Sequence, residues 1–217
     1  MAEPVVIKIC GIRTVPILEV AIAAGADMVG FVHFSRSPRH VDIDALAQLI
    51  STARGRVETA VLLVNPDNTL VAQVAALGPD WIQLHGLESP RRVETIRAET
   101  GVNIMKAVPI GTAEDIAAVE GFADVADRVL LDAKPPKHAD RPGGLGATFD
   151  WSLLKPLDPA LPFMLSGGLT PDNVGEAIRM VQPFGVDVSS GVETAPGEKD
   201  EALVRAFIAA ARAEKRV

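Results

Sequence analysis

Short runs of apolar, mostly β-branched residues recur along this chain, and longer stretches that mix Ala and Leu with polar residues separate them. VVIKIC (5–10), MVGFVH (28–33), VETAVLLV (57–64), DWIQLHG (80–86), NIMKAV (103–108), RVLLD (128–132), PFMLSGG (162–168) and VDVSSG (186–191) read as strands. They are apolar nearly throughout rather than alternating, which predicts strands covered on both faces. The segments 15–25, 43–55, 68–78, 89–101, 112–122, 170–181 and 201–215 read as helices. Strand six leads instead into a long glycine-rich loop. Thr112 with Asp115, and Thr170 before Pro171, supply helix-start signals. Gly25, Gly55, Gly78 and Gly101 stand where helices should stop.

Strands alternating with helices call for βαβ units and a parallel sheet. Eight such units in 217 residues predict an α/β fold, a single closed (β/α)8 TIM barrel, with residues 1–217 forming one catalytic domain. The alternative is an open doubly wound sheet. That fold usually carries G-x-G-x-x-G after its first strand, where this chain reads C-G-I-R.

Composition narrows the class further. With 48% hydrophobic residues the core needs no disulfide or metal staple. The single cysteine suits a reducing cytosol, so a cytoplasmic protein is expected. The first residues show no signal-peptide pattern, and no apolar run approaches a membrane span. A net charge of −7 argues against nucleic-acid binding. No membrane association and no obligate protein partner are implied.

In a barrel the chemistry gathers at the C-terminal ends of the strands. Those ends hold Cys10, His33, Asn65, His85, Asp132, Ser166 and the SSG of 189–191. A lone cysteine is commonly core packing, but one sharing a rim with a lone carboxylate makes an acid–base pair. Asp132 reads equally well as a loop cap or as a carboxyl kept protonated by apolar neighbours. His85 reads as an orienting group and joins the substrate-binding set. The histidines and Asp132 have no close-spaced pairing, so no metal site is expected.

The loops after strands seven and eight, LSGGLTPDN and DVSSGVETAPG, place glycines before helix starts. Such loops let backbone N–H groups approach an anion, and barrels often hold phosphate there. GGLG (143–146) follows strand six and could flank the same ligand. FSRSPRHV, after strand two, carries Arg36 and Arg39; an arginine fixed beside Pro38 suits bidentate carboxylate recognition.

Taken in order, KICGIR (8–13), GFVHFSRSPRHV (30–41), LLVN (62–65), IQLHG (82–86), LLDA (130–133), GGLGATFDW (143–151), LSGGLTPDNV (165–174) and DVSSGVETAPGEKD (187–200) resemble phosphoribosylanthranilate isomerase, a (β/α)8-barrel family of tryptophan biosynthesis. The likeness implies an Amadori rearrangement of N-(5′-phosphoribosyl)anthranilate, a small phosphoribosyl substrate, without a cofactor. It implies Cys10 as general base, Asp132 as general acid, Arg39 at the anthranilate carboxylate, and Gly167, Gly168, Ser190 and Gly191 at the phosphate. A thiolate is a minor species at neutral pH, so the resemblance also implies a partly exposed Cys10 in a pocket that favours its anion. Leu145 stands where the family commonly has threonine, and His40 where it often has an aromatic residue. Two rival readings are the related histidine-pathway isomerase, which would carry aspartates at both proton-transfer positions, and a catalytically silent phospho-sugar-binding barrel, which should have lost Cys10 or Asp132.

Overall fold

Hydrophobic strands that bury both faces close into a ring here. In the computed structural model, which describes residues 4–135, 139, 141–146, 148–158 and 160–216, eight parallel strands pair in sequence order and β8 returns to β1. They are β1 (Val6–Cys10), β2 (Met28–Val32), β3 (Glu58–Leu63), β4 (Trp81–Leu84), β5 (Asn103–Ile110), β6 (Arg128–Ala133), β7 (Phe163–Leu165) and β8 (Gly185–Val188). The closing pair runs from Val6 opposite Gly185 to Ile9 opposite Val188.

Helices α1 (Val15–Ala24), α2 (Ile43–Ala53), α3 (Asn68–Ala76), α4 (Pro90–Thr100), α5 (Ala113–Ala123), α6 (Val174–Val181) and α7 (Glu201–Arg212) surround the ring. Their starts follow capping chemistry. The side chains of Asp42, Asp67, Ser89 and Asp200 accept backbone N–H groups in the first turns of α2, α3, α4 and α7. At α5, Asp115 reaches back to the N–H of Thr112 at 2.9 Å. Gly25 and Gly101 end α1 and α4 in the left-handed region, at φ 93° and 65°.

Three elements depart from the sequence expectation. The sixth unit has a short 3-10 helix, Trp151–Leu154, where the other units have an α-helix. The helix expected from 170 begins as regular α-helix only at Val174, because Asn173 folds residues 170–173 into a turn. Its Oδ1 accepts the N–H of Thr170 at 2.8 Å, and its Nδ2 donates to the Gly168 carbonyl at 3.1 Å. The segment after β8 is not plain loop but a two-stranded hairpin, β9 (Glu193–Ala195) and β10 (Glu198–Lys199).

Two apolar layers hold the ring. Ile7, Ile9, Val29, Phe31, Val61 and Ile82 face the helices, while Met28, Ala60, Trp81, Met105, Leu130 and Met164 fill the interior. At the N-terminal end, Asp27, Asp80 and Asp127 take the N–H groups of Ile7, Thr59 and Ile104 at 2.7–2.8 Å, tying alternate strands to their neighbours. Arg212 of α7 seals the seam, donating to the carbonyls of Val5 and Gly25 at 2.6 and 2.9 Å and pairing with Asp27. Among the described residues no helix is long and apolar enough to cross a membrane.

Candidate active site

At the C-terminal end of the ring a cleft opens over Cys10, Asp132, His85, Arg39 and the loops at 167–168 and 189–190. Seven of the eight residues proposed from sequence line it, from Cys10 on β1 round to Ser190 after β8; Gly191 is the eighth and packs behind Ser190. Strand ends gather there because successive parallel strands all point the same way.

Cys10 is 3% exposed, so the expectation of a partly open thiol is corrected: it lines the cleft but is held within it. Burial pushes the Cys10 thiol up, and the Asp187 carboxylate adds to this; the Lys8 and Lys199 ammonium groups pull the other way. The pocket alone therefore does not deliver the anion that the resemblance implied. Beneath the thiol, Lys8 Nζ pairs with Asp187 Oδ1 at 2.7 Å, and Ser166 Oγ donates to Asp187 Oδ2 at 3.1 Å.

Asp132, three strands away round the ring, both caps its loop and faces the cleft. Its Oδ1 accepts the N–H of Ala133 at 2.9 Å, as a loop cap does. Its Oδ2 turns into the cleft and lies 3.1 Å from His85 Nε2. The other ring nitrogen, Nδ1, lies 3.1 Å from the Gln83 amide, which shares the inward face of β4 two residues earlier. His85 is thus an orienting partner of the carboxyl. The 143–146 loop lies over this pair, and a Cβ on Gly143 would stand 2.6 Å from Asp132 Oδ2 and 2.8 Å from His85 Nε2.

Arg39 is buried, and Arg36 is exposed. The Arg39 guanidinium grips Glu193 through two bonds, Nε to Oε1 at 2.8 Å and Nη2 to Oε2 at 2.7 Å. Lys199 Nζ reaches Glu193 Oε1 at 2.7 Å and the Ser189 carbonyl at 2.9 Å. Burial works against the Glu193 carboxylate, yet the Arg39 bond and the Lys199 charge outweigh it and hold its pKa below the ordinary range. Two cations share one carboxylate, so this side of the cleft keeps a net positive charge. Arg39 Nη2 also meets the Gly144 carbonyl at 3.3 Å.

On the side between β7 and β8 the glycines are required. Gly167 and Gly168 have φ of 90° and 62°. A Cβ at Gly167 would lie 2.6 Å from the Ala133 nitrogen, and one at Gly191 would fall on the Leu169 carbonyl. Backbone packs on backbone here, so the two loops meet closely at the edge of the cleft.

The family model described as N-(5′-phosphoribosyl)anthranilate (PRA) isomerase matches residues 7–210. The chain belongs to this isomerase family. A phosphoribosylanthranilate isomerase of Rhodopseudomonas palustris (strain BisA53) is 54% identical over 215 residues, 99% of either chain. That of Azorhizobium caulinodans is 55% identical, over 95% of this chain and 91% of the relative. The solved Thermotoga maritima phosphoribosylanthranilate isomerase superposes with a TM-score of 0.87 at 35% identity, covering 97% of this chain and all of that one. A phosphoribosylanthranilate isomerase in complex with reduced 1-(o-carboxyphenylamino)-1-deoxyribulose 5-phosphate superposes with a TM-score of 0.85 at 32% identity, again over 97% of this chain and all of that one.

Several groups in and beneath this cleft escape a reading of strand ends. Lys8, Gln83 and Asp187 lie one step inside the strands, within strings that otherwise look like core. Their only sequence signal is polarity inside an apolar run. Glu193 and Lys199 sit in a hairpin that reads as loop. Two rim residues from the sequence list serve the frame instead. His33 Nδ1 bonds the Val41 carbonyl at 2.8 Å, and Asn65, at φ 47°, takes the N–H of Leu87 at 2.7 Å. His40, one of the departures from the family pattern, sets its ring 5.0 Å from that of His33. Among the described residues no group of three or more His, Cys, Asp or Glu could hold a metal ion.

Proposed function

We propose that Cys10 and Asp132 divide the proton transfers of the isomerisation that defines this family. The chain is an isomerase of tryptophan biosynthesis that converts N-(5′-phosphoribosyl)anthranilate to 1-(2-carboxyphenylamino)-1-deoxyribulose 5-phosphate. One observation carries the assignment of roles. A thiol and a carboxyl face the same cleft, with a net positive patch on one side of it and a glycine wall on another.

In this reading Asp132 gives its proton to the furanose ring oxygen, the C1′–oxygen bond breaks, and the anthranilate nitrogen takes up the charge as an iminium. The Cys10 thiolate then removes the C2′ proton, and those electrons quench the iminium to give an enolamine. Tautomerisation moves the 2′-hydroxyl proton to C1′ and leaves the ketone. The substrate nitrogen is the electron sink, so the step needs no further group. His85, bonded to Asp132 at 3.1 Å, keeps the acid aimed. Arg39 meets the anthranilate carboxylate, and the backbone around Gly167, Gly168, Ser190 and Gly191 meets the phosphate. A single barrel supplies every group, so the 217 residues are read as one catalytic unit. One cysteine and a biosynthetic family support a cytoplasmic location.

Cys10→Ser and Asp132→Asn should each lower the single-turnover rate by about 10² to 10⁴ while moving substrate affinity little. Loss of substrate fluorescence reports the rate. A variant that kept the wild-type rate would remove that residue from its role.

A further inference from the structure

Residues two apart on a strand point the same way, so Lys8 and Cys10 of β1 both face the barrel interior. Lys8 is fully buried, an unusual place for an ammonium unless something holds it. Asp187 of β8 does so at 2.7 Å, itself bonded by Ser166 of β7 at 3.1 Å. On the other side, β2 sets Gly30 opposite Cys10. A Cβ at Gly30 would lie 2.8 Å from Cys10 Sγ and 3.0 Å from Lys8 Nζ, so sulfur and ammonium both border the space over the bare backbone of this one residue. Packing alone does not account for the cation, because a buried ion pair stabilises a fold little more than a well-packed apolar pair.

We infer that Lys8 is a positioning residue for proton abstraction: its ammonium, anchored by Asp187, offsets part of the burial cost of the Cys10 thiolate beneath the substrate, and Gly30 keeps the space between them open. The inference rests on the reading of Cys10 as the base. The charged groups facing the sulfur are Lys8 from its own strand, Asp187 from β8 and Lys199 from β10. Burial opposes the thiolate most strongly, Asp187 opposes it too, and Lys8 is the foremost group in its favour. Burial also works against the Lys8 ammonium, but Asp187 and the sulfur outweigh it, and its pKa is pushed up to about 12. The cation therefore stays charged across the working range of the enzyme.

The experiment is the pH dependence of iodoacetamide alkylation, in which the lone cysteine is the only thiol. Lys8→Met should move the midpoint of alkylation upward by about one unit or more, since a charge at this range shifts a neighbour by roughly 1 to 3 units. At pH 7 this slows labelling about tenfold or more, because the thiolate is the reacting species. Lys8→Arg, which keeps a charge, should hold the midpoint near that of the native protein. If Lys8→Met does not fold, Lys8→Met/Asp187→Asn removes both charges together and is compared with Asp187→Asn alone, above which its midpoint should lie, because Asp187 itself opposes the thiolate. An unchanged midpoint in Lys8→Met, or in the double variant relative to Asp187→Asn, overturns the proposal. The single-turnover pH profile is measured on the same proteins, and its basic limb should move with the alkylation midpoint. A shifted midpoint with an unshifted profile would uphold the Lys8–Cys10 link and reject Cys10 as the base.

Discussion

Glu193→Gln should damage this protein more than its place on an exposed hairpin suggests. The carboxylate is 4% exposed and takes bonds from Arg39 at 2.7 and 2.8 Å, from Lys199 at 2.7 Å and from the Gly197 N–H at 3.3 Å. Gln keeps the shape but leaves two buried cations without a counter-charge, and turns an N–H toward donors. Breaking a buried pair in this way costs about 3 to 5 kcal/mol. The loss has a ceiling, because Lys199 can give up its proton. From an ordinary lysine value of about 10.5, that costs about 5 kcal/mol at pH 7. For a chain of this size the expected fall in Tm is about 6 to 20 °C. If Lys199 is neutral in the folded variant and charged when unfolded, the unfolded state binds more protons, so the variant gains stability as pH rises. The sign is that of a depressed lysine: the penalty is full below its folded value and gone above the ordinary one. Urea midpoints at pH 7 and pH 9 should therefore show the gap to the native protein closing by about 2 to 3 kcal/mol. A loss under about 1 kcal/mol would refute the buried-charge argument. A gap equal at both pH values would refute the role given to Lys199.

The two arms of the cleft should separate in binding experiments. Arg39→Ala should weaken a reduced carboxyphenylamino-deoxyribulose phosphate by about 1.5 to 3 kcal/mol and leave inhibition by inorganic phosphate within about twofold, since no phosphate contact is assigned to it. An equal loss for both ligands would place Arg39 at the phosphate. Gly191→Ala should do the reverse, because the added methyl meets the Leu169 backbone and the two glycine loops must part. Phosphate inhibition should weaken by about 1 to 3 kcal/mol, read by competition, and unaltered inhibition would sink that placement.

The strands and their order were legible because apolar runs bounded by glycine have few other uses. The rim was legible as well: Cys10, His85 and Asp132 stand where a strand stops being core, and a polar residue there is conspicuous. One step deeper the signal fails. Lys8 and Asp187 are separated by 178 intervening residues and meet only because β8 closes on β1. No local pattern encodes that meeting. The thiol's burial was not legible for the same reason, since Gly30 and Asp187 come to it from β2 and β8. Glu193 and Lys199 hid because the Thr-Ala-Pro-Gly run between them, 194–197, reads as punctuation, and only the hairpin pairing brings the two side chains inward. Asn173 delayed α6 by capping the turn from within, an arrangement that Thr170 and Pro171 concealed.

The seam between the first and last strands has a consequence for how activity arises as the chain matures. Cys10 and Lys8 belong to the first strand made, Asp187 to the last strand of the ring and Ser190 to the loop after it. Arg212, on the final helix, ties residues 5, 25 and 27 into place. Closing a loop of nearly the whole chain carries a large entropy cost before any contact repays it. Half a ring can bury helices and shield its interior, yet it brings neither Asp187 to Lys8 nor the 189–190 loop to the cleft. In a chain of this sequence that stops short of β8 the cleft lacks Asp187, the 189–190 loop and the Arg212 ties at once, so completing the cleft and closing the barrel are the same structural event.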